Sequence, residues 1–195
     1  MGLFGLIGYL FVFTFLISGL IVIVKQWENA IVLRFGKFNR IMQPGLQLRI
    51  PVIEQIIKED LRERSFDLMP QKILTKDTVP VEVNAVVFYK IRDIKKSIID
   101  AQNWMKMTNE RAKTDLREAI SKENLSSVLT KRDRIAQMIK TELDKATDPW
   151  GITVTAVKIK DVILPSNMER AMAKEAEAKF LAFKKSGGFV AIILN

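Results

Sequence analysis

From Leu3 to Val24 the chain reads LFGLIGYLFVFTFLISGLIVIV, with no charged residue before Lys25. Sixteen of these twenty-two positions are Leu, Ile, Val or Phe. On an insertion scale those sixteen contribute about −5 to −10 kcal/mol. As a helix the run is about 33 Å long, against a hydrocarbon core of about 30 Å. The pattern predicts a transmembrane helix within residues 1–24, with Leu3, Phe11, Phe15, Leu20 and Val24 as anchor positions. A hairpin dipping into one leaflet is the rival reading, although no Pro lies in this segment and Gly19 alone is a poor hinge. A cleaved signal peptide fits less well, since no basic region precedes the apolar run.

Beyond the anchor the period shortens. Ala30–Phe35 is a short apolar strand, Gln43-Pro44-Gly45 a turn, and Leu46 to Ile50 alternates until Pro51. Residues 55–61 and 65–68 read as further strands. Pro80–Ile91 is the clearest, with Val81, Val83, Ala85, Val87, Tyr89 and Ile91 on one face and Glu82, Asn84 and Lys90 on the other. The period then becomes helical. Met105, Ala112, Leu116, Ala119 and Ile120 share a face within 103–120, and Ile135, Met138, Ile139, Leu143 and Ala146 share another after Thr130, the expected N-cap. Asp148-Pro149-Trp150-Gly151 stops that helix, and Ile152–Leu164 returns to strand. Strands, two helices and a closing strand describe an α+β domain over residues 25–165. Ser166-Asn167-Met168-Glu169 opens a third, alanine- and charge-rich helix over 166–186, with Glu175 and Lys179 at i,i+4. That helix breaks at Gly187-Gly188, and 187–195 is a short apolar tail.

Charge and chemistry narrow the function. The net charge of +9 suggests an anionic partner, but cations and anions are interleaved, so a solvated mixed surface with attraction to an anionic leaflet is the expectation. Lys25, Arg34, Lys37 and Arg40 crowd the exit from the anchor against Glu28. The positive-inside rule then places a single-pass protein in the plasma (cell inner) membrane with its soluble domain in the cytoplasm. Lys25, Trp27 and Arg34 are the expected interfacial residues, Trp27 belonging to the aromatic belt. The chain has no Cys and no His. Disulfides, thiolate nucleophiles, Ser-His triads and imidazole-held zinc are therefore excluded.

No phosphate-binding glycine loop or zinc-protease motif occurs. The carboxylates Glu59-Asp60 and Glu142 with Asp144 read as solvated faces, and Ser126-Ser127 has no imidazole partner. The run Lys131–Arg134 lacks the interleaved aromatics of single-strand binders, so no nucleic-acid partner is expected. The stretch 46–57, LQLRIPVIEQII, has two readings: sheet core, or a shallow membrane contact through Leu46, Leu48, Ile50 and Ile53.

Several segments together carry a family resemblance: WENAIVLRFGKFNRIMQPGLQLRIP, DLRERSFDL, ILTKDTVPVEVNAVVFYKI, ATDPWGITVTAVKIKDVILP and ERAMAKEAEA. In this order and spacing, from about Lys25 to Lys179, the chain resembles the stomatin/prohibitin/flotillin/HflK-C (SPFH, band 7) family, in its prokaryotic stomatin-like (slipin) branch. The resemblance implies an SPFH domain on a membrane anchor, followed by the start of a coiled-coil-type assembly helix. It implies homo-oligomers, membrane lipid as partner, an NfeD-type or protease membrane partner, and neither cofactor, metal nor catalytic site. Assembly would fall on Met168, Ala171, Met172, Glu175 and Ala178. The expected function is a membrane-anchored scaffold organising or regulating membrane proteins. The alternatives are a Ser-Lys type membrane hydrolase and a monomeric anchored binding module.

Overall fold

The computed structural model describes residues 19–165 together with Met168, Arg170, Lys174, Glu177, Ala178, Leu181 and Ala182. Within residues 19–165, eight strands and three α-helices follow one another: β1 (Ile21–Val24), β2 (Glu28–Arg34), β3 (Lys37–Met42), β4 (Gly45–Leu48), β5 (Glu54–Asp60), β6 (Arg64–Leu74), β7 (Pro80–Ile91), α1 (Trp104–Ser121), α2 (Leu125–Thr130), α3 (Arg132–Thr147) and β8 (Ile152–Ile163). A π-helical turn at Lys96–Asp100 leads into α1, and a short 3₁₀ turn at Asp148–Trp150 leads out of α3. The strands form three antiparallel sheets, ordered β1-β4, β3-β2-β5 and β6-β7-β8.

The expected α+β domain is present, and its helices cover one face of β6-β7-β8. Val81, Val83, Ala85 and Val87 of β7 meet Ala112, Leu116 and Ile120 of α1 and Ile135, Ile139 and Leu143 of α3 in one buried cluster. The other two clusters lie on opposite faces of β2. Ile31 packs with Tyr89, Ile91, Ile94 and Ile152. Ala30 and Val32 pack with Val24 and Met42. Burial on both faces explains why β2 reads as an unbroken apolar run rather than an alternating one.

Four expectations need correction. The anchor helix does not reach Val24. Ile21–Val24 is a strand paired with β4, Leu20 lies in the turn before it, and Val24 is buried in the cluster with Ala30 and Met42. An Ile-Val-Ile-Val run is β-branched throughout and prefers a pleated surface. Arg49 fixes the turn, donating Nε–H to the Gly19 carbonyl at 2.8 Å and N–H to the Leu20 carbonyl at 2.8 Å. Leu3, Phe11 and Phe15 lie outside the described residues, and among the described residues no helix is long and apolar enough to cross a membrane. Thr130 is not an N-cap but the last residue of α2, its hydroxyl donating to Ser126 O at 2.7 Å. Lys131 stands at the start of α3 without a side-chain cap. Met138 is exposed rather than buried, and Ala136 takes the core position instead. Strand β3 and the extension of β6 to Leu74 interrupt their alternation with charge or Pro, which hid them.

Candidate membrane-facing site

The β1-β4 ribbon has two unlike faces. Its register sets Val22 opposite Gln47 and Val24 opposite Gly45 on the inner face, where Val24 is buried against Ala30, Val32 and Met42. The outer face then carries two cross-strand pairs, Ile21 with Leu48 and Ile23 with Leu46. All four are 51–68% exposed. Directly opposed aliphatic side chains on an antiparallel ribbon lie within contact distance of one another, so the four form one patch. The sheet-core reading therefore fails for Leu46 and Leu48. It holds further on, where Ile56 packs against the Val24 cluster.

Past Leu48 the chain forms an apolar tip. Ile50 is exposed, Ile53 half-buried and Val52 100% exposed. Val52 adopts φ 73°, a left-handed conformation that costs a β-branched residue about 1–2 kcal/mol. Phe35, itself at φ 50° and 80% exposed, lies beside this tip and donates its N–H to the Ile53 carbonyl at 3.2 Å.

Glu54 organises the tip. Its side chain is fully buried, yet it begins a strand between two apolar stretches. Oε1 accepts from Arg34 at 2.8 Å, while Oε2 accepts from Arg40 at 3.4 Å and from the Ile50 amide at 3.0 Å. Arg40 also donates to the Leu48 carbonyl at 2.6 Å, tying the end of β4 to the same carboxylate. The Arg34 hydrogen bond and then the Ile50 amide hold the Glu54 carboxyl below its usual range, overcoming the opposing effect of burial. Arg34, an expected interfacial residue, is thus first a structural clamp.

Lys25 and Trp27 lie at the edge of the ribbon in a charged recess of about 430 Å³. The Trp27 ring is 42% exposed, with Lys25 Nζ 5.7 Å and Arg62 Cζ 5.0 Å from its centroid. Lys58 reaches across to donate to Ile23 O at 2.8 Å, joining the recess to the apolar patch. Asp60 closes the recess, held far below the usual carboxylate range by Arg62 and then by Arg64.

The residues expected to carry assembly are only partly in view. Met168 packs against the main core, and Ala178 is exposed. Ala171, Met172 and Glu175 lie outside the described residues. Among the described residues no group of three His, Cys, Asp or Glu side chains is placed to hold a metal.

Residues 22–185 match the family described as SPFH domain / Band 7. The chain belongs to that family. It is 44% identical over 170 residues to a stomatin homolog of Pyrococcus abyssi, covering 87% of this chain and 63% of that one. A stomatin homolog of Pyrococcus horikoshii is 42% identical over 170 residues, with 87% and 64% covered. Stomatin of Mus musculus is 44% identical over 161 residues, with 80% and 56% covered. The chain thus spans less than two thirds of these curated relatives. The stomatin-like reading of the sequence stands. Sequence reasoning missed Ile21, Ile23, Val52 and Glu54, and took Arg40 only as a cation beside the anchor. The β-branched run at 21–24 was the one local signal for the first two.

Proposed function

We propose that this SPFH-family chain is a membrane-associated scaffold, non-catalytic itself, that self-associates on a bilayer and organises or regulates membrane proteins. The outward aliphatic patch Ile21, Ile23, Leu46 and Leu48, which follows directly on the apolar segment before Gly19, is the observation that carries this reading. Such a patch, rimmed by Lys25, Trp27, Lys58 and Arg62, has the composition of a membrane interface: aliphatic contact, an amphipathic ring and cations at headgroup level. The anchor then ends no later than Leu20. The ribbon lies beside it in the interface, with the rest of the domain on the cytoplasmic side. An NfeD-type membrane partner, or a membrane protease under its regulation, is the most concrete client that the family suggests.

The test is the particle mass of the full chain in detergent or nanodiscs, by light scattering or native mass spectrometry. Large, discrete homo-oligomers bound to bilayers of anionic lipid support the scaffold. A chain that remains at its 22.3 kDa monomer mass and leaves the membrane at moderate salt refutes it.

A further inference from the structure

Helices α1 and α3 leave a cleft of about 620 Å³ between them on the domain surface. Its floor is apolar, made by Ala119, Met138 and Ile139. Its walls carry Asp115, Glu118, Glu123 and Glu142 against only Arg111 and Lys122. On a chain of net charge +9 this is an acidic site. Asp115 is 6% exposed and lines it. Arg111 occupies Oδ1 at 2.9 Å, but Oδ2 has no hydrogen-bond partner. A buried carboxylate oxygen left unpaired costs free energy that an arriving N–H donor relieves. Burial pushes the Asp115 carboxyl up, with Arg111 opposing it.

The same chain carries the complement. Residues 179–185 read KFLAFKK, three cations around two Phe and a Leu. The segment thus combines two aromatic rings with three ammonium groups. Beyond Met168, which packs against the core, the described residues of this helix face solvent: Lys174, Glu177, Ala178 and Ala182 are exposed, and Leu181 is 56% exposed.

We infer that the α1–α3 cleft receives the basic, apolar 179–185 segment of a second copy of this chain, with the two Phe rings over Met138 and Ala119 and the Lys ammonium groups among Asp115, Glu118 and Glu142. The donor segment and the receiving cleft are different surfaces, so the contact is heterologous. Repeated from copy to copy it builds a ring or an open filament rather than a two-fold dimer. This inference rests on the self-association proposed above and says which surfaces make it.

A charge swap tests it on the full chain in detergent. Glu118→Lys with Glu142→Lys puts like charges against the incoming segment, and both carboxylates are exposed enough to change without unfolding the domain. Circular dichroism and thermal melting check the fold of each variant. We expect either this pair or Lys179→Glu with Lys184→Glu to weaken self-association about 10-fold to 100-fold, and all four together to restore most of it. The chain has no Cys, so Met138→Cys with Leu181→Cys gives an unambiguous second readout. Intermolecular crosslinks forming a ladder of multimers support the contact, whereas an intramolecular crosslink alone overturns it. If the unaltered chain is monomeric, the scaffold proposal itself fails. If it is oligomeric and the swaps leave its mass unchanged, only this interface fails.

Discussion

Converting Ile23 and Leu46 together to Ser perturbs the outer face of the ribbon and nothing beneath it, because both side chains are 68% exposed and directly paired. Fully burying a Leu or Ile is worth about 1.5–3 kcal/mol. With roughly two thirds of each side chain still facing outward, about 1–2 kcal/mol per residue remains to be gained by entering a bilayer interface. The pair therefore supplies about 2–4 kcal/mol, and its loss shifts the inserted-to-lifted ratio of the ribbon about 30-fold to 700-fold. The proposed anchor before Gly19 would keep the chain at the membrane, so the measurement must be local. In the Cys-free chain, Leu48→Cys carries a single environment-sensitive dye, and Met69→Cys on β6, also highly exposed, is the control. Reconstituted in vesicles, the Leu48 label shifts to the blue and is quenched by nitroxide lipids but shielded from aqueous iodide. The Met69 label stays open to iodide. The double Ser substitution returns the Leu48 label to water without lowering the melting temperature. A Leu48 label that iodide quenches as fully in vesicles as it does the Met69 label, before any substitution, refutes the membrane assignment of the ribbon.

Three further outcomes follow from the packing. The Glu54 carboxyl is depressed below its ordinary 4.5 in the fold, so the stability it contributes is present above that value and is lost as pH falls through the lower, folded one. Glu54→Gln is expected to remove that part of the acid sensitivity in melts below pH 5, and to speed hydrogen exchange at the Ile50 amide, which loses its carboxylate acceptor. Leu143→Ala opens a cavity where the side chain is completely buried and costs about 2.7–5 kcal/mol, read as a urea midpoint lowered by about 1 M or more. Gly151 sits at φ 70° with its prospective Cβ 2.5 Å from Asp93 O; Gly151→Ala adds a left-handed penalty of about 1–2 kcal/mol to that clash, lowering the melting temperature by several degrees.

Much of the architecture was legible because its periods are clean. Pro80–Ile91 alternates through its whole length, and every odd position from Val81 to Ile91 is buried. The stripes of α1 and α3 likewise found the core at Leu116, Ile120, Ile139 and Leu143. The end of the anchor was not legible, since a continuous apolar run fits a membrane helix and a buried strand equally. Only pairing with Gly45–Leu48, distant in sequence, turned Ile21–Val24 into a strand. The alternation at Leu46 and Leu48 was visible, but its direction was not. Alternation says that two faces differ, not which one faces the core. Here the register set Gly45 and Gln47 opposite Val24 and Val22, and the leucines turned outward. Glu54 was invisible for a related reason. A lone carboxylate in an apolar stretch reads as a solvated charge until Arg34 and Arg40 arrive from the opposite hairpin.

Strand β2 links these observations into one physical argument. Ala30, Ile31 and Val32 are all fully buried, but on alternate faces. Ala30 and Val32 hold the ribbon through Val24 and Met42, while Ile31 meets the β6-β7-β8 sheet through Tyr89 and Ile152. The apolar patch and the acidic cleft are therefore not independent ornaments on separate flexible parts. The ribbon that carries the patch packs on one face of β2, the sheet that carries α1 and α3 packs on the other, and densely packed interiors transmit orientation instead of absorbing it. Seating the ribbon on a bilayer then sets the attitude of α1 and α3 as well. Under the proposed scaffold, every copy on the same membrane would present its cleft at one height and in one direction, a constraint that would turn a weak, head-to-tail contact between neighbours into assembly within a plane.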